Sequence, residues 1–128
     1  MAIQPDMIGI VVSDMAAALR FYRLVGLEIP AHLDSESHAE ITTANGYRIA
    51  WDTEALARSI NPDWVTPVGQ RVALALKCDS PGEVDATYAR MVAQGYHGHK
   101  PPWDAFWGQR YAVIADPDGS LLDLFAPQ

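Results

Sequence analysis

Four histidines, one cysteine and a dense run of aromatic residues are the side chains of this 128-residue chain best suited to chemistry. His97 and His99 stand two apart, so on a strand they share one face, as a metal-binding pair would. No third ligand lies in range, and a solvent-facing edge strand explains the pair as well. Cys78 ends an apolar run between Lys77 and Asp79, where a neighbouring cation can favour the thiolate; a small buried hydrophobe is the simpler reading. The aromatic run is the sharper signal. Trp103, Phe106, Trp107 and Tyr111 fall within nine positions, where an even spread of the 12 aromatic residues would put about one. Pro101-Pro102 and Gly108 punctuate this stretch and predict a loop entering a strand. Flat side chains on such a loop can stack on a planar ligand, worth about 0.5–1.5 kcal/mol beyond area burial, or simply cover the end of a sheet. There is no G-x-S-x-G elbow, no H-E-x-x-H and no phosphate-cradling loop.

The elements that must position these residues repeat. Met7 to Val12 is a short, β-branched apolar run that reads as a buried strand. Ser13 or Asp14 can cap a following helix whose stripe includes Met15, Leu19 and Tyr22, and Gly26 stops it. Leu27 to Ile29 predicts a brief strand ending at Pro30. The segments His38 to Thr43 and Tyr47 to Asp52 then flank Asn45-Gly46, a strong hairpin signal. The second half follows the same order. Arg71 to Leu76 is an apolar strand, Ser80-Pro81-Gly82-Glu83 a capping box with proline at the first helical position, and Gly95 a stop. A segment near Tyr96 to Lys100 follows, and then Arg110 to Ala115 and Leu121 to Phe125 flank the turn Asp116-Pro117-Asp118-Gly119. The expectation is an α+β fold of two βαβββ modules, residues about 5–53 and 70–127, within one domain spanning 1–128. The connector, 54–69, holds a short helix near Glu54 to Arg58.

Composition narrows the partners. The chain is 49% apolar and 20% charged, an ordinary globular balance. A net charge of −7 with no Lys/Arg cluster argues against a nucleic-acid partner. No apolar run approaches the ~20 residues needed to span a bilayer, and the N-terminus has no signal-peptide pattern. With one cysteine and so no internal disulfide, a cytoplasmic address is expected.

The repeated order resembles the vicinal oxygen chelate superfamily of glyoxalases, bleomycin-resistance proteins and extradiol dioxygenases. Val12-Ser13-Asp14, Phe21-Tyr22-Arg23, Asp116-Pro117-Asp118-Gly119 and Leu122-Asp123-Leu124-Phe125 carry that resemblance over nearly the whole chain. It implies curved mixed sheets whose concave faces form a ligand cleft, and a homodimer. Enzymes of the family hold a divalent metal with His and Glu from these strands. Here the matching positions are Met7 and the stretch Arg71 to Ala73, and only Asp123 falls where a family carboxylate is expected. No metal, cofactor or catalytic residue is therefore assigned.

Asp34-Ser35, His38, Arg48 to Thr53 and Pro101 to Tyr111 are similar to the mitomycin-resistance type of antibiotic-binding member. That resemblance implies a metal-free protein that sequesters a planar aromatic or quinone natural product, in resistance or self-protection. His38 and Trp107 would form the walls of a stacking slot, Trp51, Trp103 and Tyr111 its floor and rim, and Arg110 a further ligand contact. The alternative is a metal-dependent glyoxalase- or dioxygenase-like enzyme acting on a small vicinal-oxygen substrate.

Overall fold

A computed structural model describes residues 2–128, which divide into two compact units, one ending at Thr66 and the other Pro67–Gln128. Each unit carries one mixed sheet with helices, giving an α+β protein.

The first unit runs β1 (Met7–Val12), α1 (Met15–Val25), a 3₁₀ turn (Ala31–Ser35), β2 (His38–Thr42), β3 (Arg48–Thr53) and α2 (Glu54–Ile60). Of the two capping candidates, Asp14 is the cap, its side chain accepting the Ala17 N–H at 3.0 Å. The Gly26 N–H donates back to the Arg23 carbonyl and ends the helix. Strand order is β1-β3-β2, with β1 parallel and β2 antiparallel to β3. Register in the β2–β3 hairpin follows from its turn. The Gly46 N–H donates to the Thr43 carbonyl, and Gly46 sits at φ 85°, a left-handed position that closes a three-residue loop. Thr43 therefore faces Tyr47, and His38 faces Asp52.

One expected strand is missing. Leu27 to Ile29 forms none, so the first half departs from βαβββ. Arg23 explains the difference: its Nε donates to the Ile29 carbonyl at 2.8 Å and its Nη2 to the Pro30 carbonyl at 3.0 Å. Backbone acceptors that a ladder would use are satisfied by a side chain instead. Asp34 fixes the guanidinium from the other side at 2.7 Å.

The second unit runs β4 (Leu74–Lys77), α3 (Pro81–Ala93), β5 (His97–Ala105), β6 (Gln109–Ala115) and β7 (Leu121–Pro127), in the order β4-β7-β6-β5. Ser80 caps α3 by accepting the Glu83 N–H at 3.2 Å, with Pro81 in the first turn. The Asp116 carboxylate, itself buried, accepts the N–H groups of Asp118 and Ser120 and so forms the β6–β7 turn. Two boundaries differ from expectation. β4 starts at Leu74 rather than Arg71, and β5 continues through Pro101-Pro102 to Ala105, leaving only a tight turn where a longer loop was expected. Prolines are tolerated there because β5 is an edge strand, and its pairing with β6 shifts register on either side of Lys100.

Each sheet is two-faced. In the first unit Ile49, Trp51, Ala39 and Ile41 point to the side of α1 and are buried. In the second, Ala112, Ile114, Leu122 and Leu124 do the same with Val84 and Met91 of α3. The opposite faces carry the side chains able to do chemistry.

Candidate functional site

On the face of the first sheet away from α1, pairing across the ladder aligns His38 with Asp52 and Glu40 with Ala50, while Arg48 faces Thr42 and Met7. His38 Nδ1 lies 2.5 Å from Asp52 Oδ1, and its Nε2 lies 3.1 Å from Glu40 Oε1. An imidazolium, with an N–H on each ring nitrogen, can donate to both carboxylates at once. Arg48 continues the chain of opposite charges, donating to Glu40 Oε2 at 2.6 and 2.9 Å and to Asp6. The hydrogen bond to Asp52, then that to Glu40, holds His38 above its ordinary imidazole range. Arg48 and His38 hold Glu40 below the usual carboxylate range.

A histidine raised in this way adds stability that is complete below its unfolded value of about 6.5 and is lost as pH rises through the folded value. In an NMR titration, Asp52→Asn is expected to move the His38 midpoint to lower pH. An unchanged midpoint would refute the pairing.

The helix-free face of the second sheet is aromatic. Trp103 pairs with Tyr111 across β5–β6, and Tyr111 with Phe125 across β6–β7, so all three rings share one side. Ring centroids lie 5.5 Å apart for Trp103–Tyr111, edge-on, and 6.2 Å for Tyr111–Phe125, stacked. Trp107, from the β5–β6 turn, meets Trp103 at 6.1 Å and Tyr111 at 5.3 Å, both edge-on. Its Nε1 donates to Gln109 Oε1 at 2.7 Å, and the turn is tied down by the Gln128 N–H on the Gly108 carbonyl. Trp107 is nonetheless 48% exposed, and Phe106 beside it projects almost entirely into solvent. Within this wall stands one carboxylate, Asp123, which accepts the Tyr111 hydroxyl at 2.5 Å. Burial first, and Asp123 second, push the Tyr111 phenol up to about 12.

Of the residues expected in a ligand slot, the structure brings Trp103, Trp107 and Tyr111 together, and places His38 in the first unit. Two expectations are corrected. Trp51 is fully buried against Tyr22 of α1, centroids 5.2 Å apart, on the opposite face of its sheet from His38. Strand alternation puts it there: His38 pairs with Asp52, and Trp51 is the next residue. Arg110, next to Tyr111, likewise points to the helix side, where it holds Asp85 of α3 at 2.9 Å and Asp104 at 3.1 Å. Phe125 was missed as a site residue, and Asp123 was considered as a family carboxylate but not as part of the aromatic wall; the β6–β7 register that places them there was not read from the sequence.

Elsewhere, burial pushes the Cys78 thiol up rather than down. The His97 and His99 rings do meet edge-on at 5.8 Å.

The sequence pattern that defines the Glyoxalase/Bleomycin resistance protein/Dioxygenase superfamily matches residues 4–124. The chain is similar to a glyoxalase/bleomycin resistance protein/dioxygenase from Nocardioides, at 25% identity and TM-score 0.75, over 99% of this chain and 85% of that one. It is also similar to a family enzyme from Burkholderia phytofirmans PsJN, at 20% identity and TM-score 0.84, over 98% and 100%. A glyoxalase-related enzyme from Fulvimarina pelagi is a third, at 23% identity and TM-score 0.80, over 96% and 87%. The last two likenesses speak for the fold alone. No curated protein is similar enough to count as a match.

Enzymes with this fold raise the question of a divalent ion, and the residues here do not fit one. Asp123 is flanked across the ladder by Ala75 and Val113, and its carboxylate already accepts from Tyr111. In the first unit Met7 faces Arg48, and the ring nitrogens of His38 engage Asp52 and Glu40 on opposite edges, so the three cannot converge on one ion. Among the described residues no group of three His, Cys, Asp or Glu could hold a metal. Nor, among them, is any helix long and apolar enough to cross a membrane.

Proposed function

The chain belongs to the Glyoxalase/Bleomycin resistance protein/Dioxygenase superfamily, and from that premise we propose that it binds and sequesters a planar aromatic small molecule, such as a quinone natural product, without a metal. The observation that carries this reading is the wall of Trp103, Trp107, Tyr111 and Phe125 on a helix-free sheet face, with Trp107 half exposed. Such rings offer large flat area at little rotamer cost. A site without a metal-ligand set suits capture better than Lewis-acid chemistry. In the first unit, both ring nitrogens of His38 are already engaged by carboxylates, which leaves neither open to take a proton from a ligand. The proposal extends to a role in antibiotic resistance or self-protection of the mitomycin type, a cytoplasmic setting in keeping with the free Cys78, and a homodimer.

Titration with 1,4-naphthoquinones, followed by tryptophan quenching and by recovery of the quinone, tests the reading. Saturable binding that is indifferent to EDTA, with the quinone returned unchanged, is expected. Absence of binding, a requirement for added zinc, nickel or manganese, or conversion of the quinone would overturn it.

A further inference from the structure

Aromatic rings alone select flatness, not identity. The wall of the second unit contains one group able to do more. Asp123 projects from the centre of β7 onto the same face as Tyr111 and Phe125, and among the described residues its hydrogen-bond partner is the Tyr111 hydroxyl, on Oδ2. An ionised carboxylate offers about four lone-pair sites, and one hydroxyl uses one of them. The group is half-buried, so water supplies the rest only while the face is open. A flat molecule laid on the rings displaces that water and must replace the lost donors or leave acceptors unpaired. Of the other polar side chains at the wall, Gln109 Oε1 accepts from Trp107 and the Lys100 ammonium lies over the face of Trp103, 4.5 Å from its centroid; neither offers a second anionic acceptor.

Resting on the reading that this face binds planar aromatics, we propose that Asp123 is the specificity-determining residue, and that the ligand is a planar ring bearing an N–H or O–H donor on its edge, which donates to the free oxygen of Asp123. Tyr111 is the positioning residue. It remains a donor through the physiological range, so it orients the carboxylate and leaves Oδ1 for the ligand.

The test compares 2-amino-1,4-naphthoquinone with its N,N-dimethyl derivative, which has the same ring system but no N–H. The intact chain is expected to prefer the amino compound about tenfold or more, the usual size of a charge-assisted hydrogen bond. In Asp123→Asn the Tyr111 hydroxyl claims the amide oxygen and turns the amide NH₂ to the ligand, so the preference should vanish or invert. Asp123→Ala, which offers no polar group, should bind both compounds within about twofold of each other. Melting curves confirm that each variant is folded, and either variant alone is sufficient. If both quinones bind but the amino preference is absent, or survives in the variants, the role of Asp123 is overturned while capture of planar ligands stands. If neither quinone binds, the capture reading falls first and this inference with it.

Discussion

Trp107→Ala is expected to weaken binding of a planar quinone by roughly 5- to 150-fold, equivalent to about 1–3 kcal/mol. The magnitude follows from where the indole stands. It is 48% exposed, so about half its surface is still available to a ligand, while its edges rest on Trp103, Phe106 and Tyr111. Removing it deletes a stacking face and opens the contact between ligand and neighbouring rings to water. Folding should suffer little by comparison. The ring contributes to no core layer, and loss of its edge contacts costs about 1 kcal/mol, a fall of a few degrees in melting temperature. Trp107→Phe keeps a ring and should recover much of the affinity. Calorimetric titration and thermal melts separate the outcomes. Unchanged affinity in Trp107→Ala would remove the residue from the site, and a melting point lowered by more than about 10 °C would assign it to the core instead.

Trp51→Ala is expected to do the reverse. Its indole is wholly enclosed between the first sheet and α1, in contact with Tyr22. Truncation leaves a cavity larger than neighbouring side chains can fill, at a cost of about 3–5 kcal/mol. For a domain of this size that is a drop on the order of 10–20 °C. Trp51→Phe makes the test sharper. The Trp51 Nε1 is buried with no hydrogen-bond partner among the described residues, so phenylalanine gives up some volume but also removes an unpaid polar penalty. Its melting temperature should lie much nearer to that of the parent than to that of the alanine variant. Equal losses in the two variants would show that the indole N–H is satisfied after all.

These two tryptophans also show what could be read from the chain beforehand. Both sit among residues that signal strands, and composition does not separate them. Gly108 is a local signal that puts Trp107 in a turn, whereas the prolines suggest a loop and lie instead within an edge strand. Trp51 was assigned to the wrong face because facing depends on register, and register depends on how a hairpin closes. The information was partly present: with Thr43 opposite Tyr47, His38 faces Asp52 and leaves Trp51 on the other side. Arg110 failed for the same reason, one residue from Tyr111. The helices and their caps were legible because Asp14, Ser80 and Gly26 act within a single turn. The strand expected at Leu27 to Ile29 was not excluded by any local pattern. It is absent because Arg23, six residues before Ile29, reaches the carbonyls first. The Tyr111–Asp123 contact spans two strands, so no short motif could reveal it.

The register shifts and paired prolines of β5 matter beyond the site they flank. An outer strand with regularly spaced amide donors invites another chain to extend the sheet, and repeated extension is how ordered aggregates grow. Neither Pro101 nor Pro102 has an N–H to offer, and the shifts around Lys100 break the even spacing an incoming strand would need. Sheet extension along this margin is thereby frustrated at its middle. If the chain traps a small molecule stoichiometrically, as proposed, it must stay dispersed at high concentration, and a margin that resists pairing favours that.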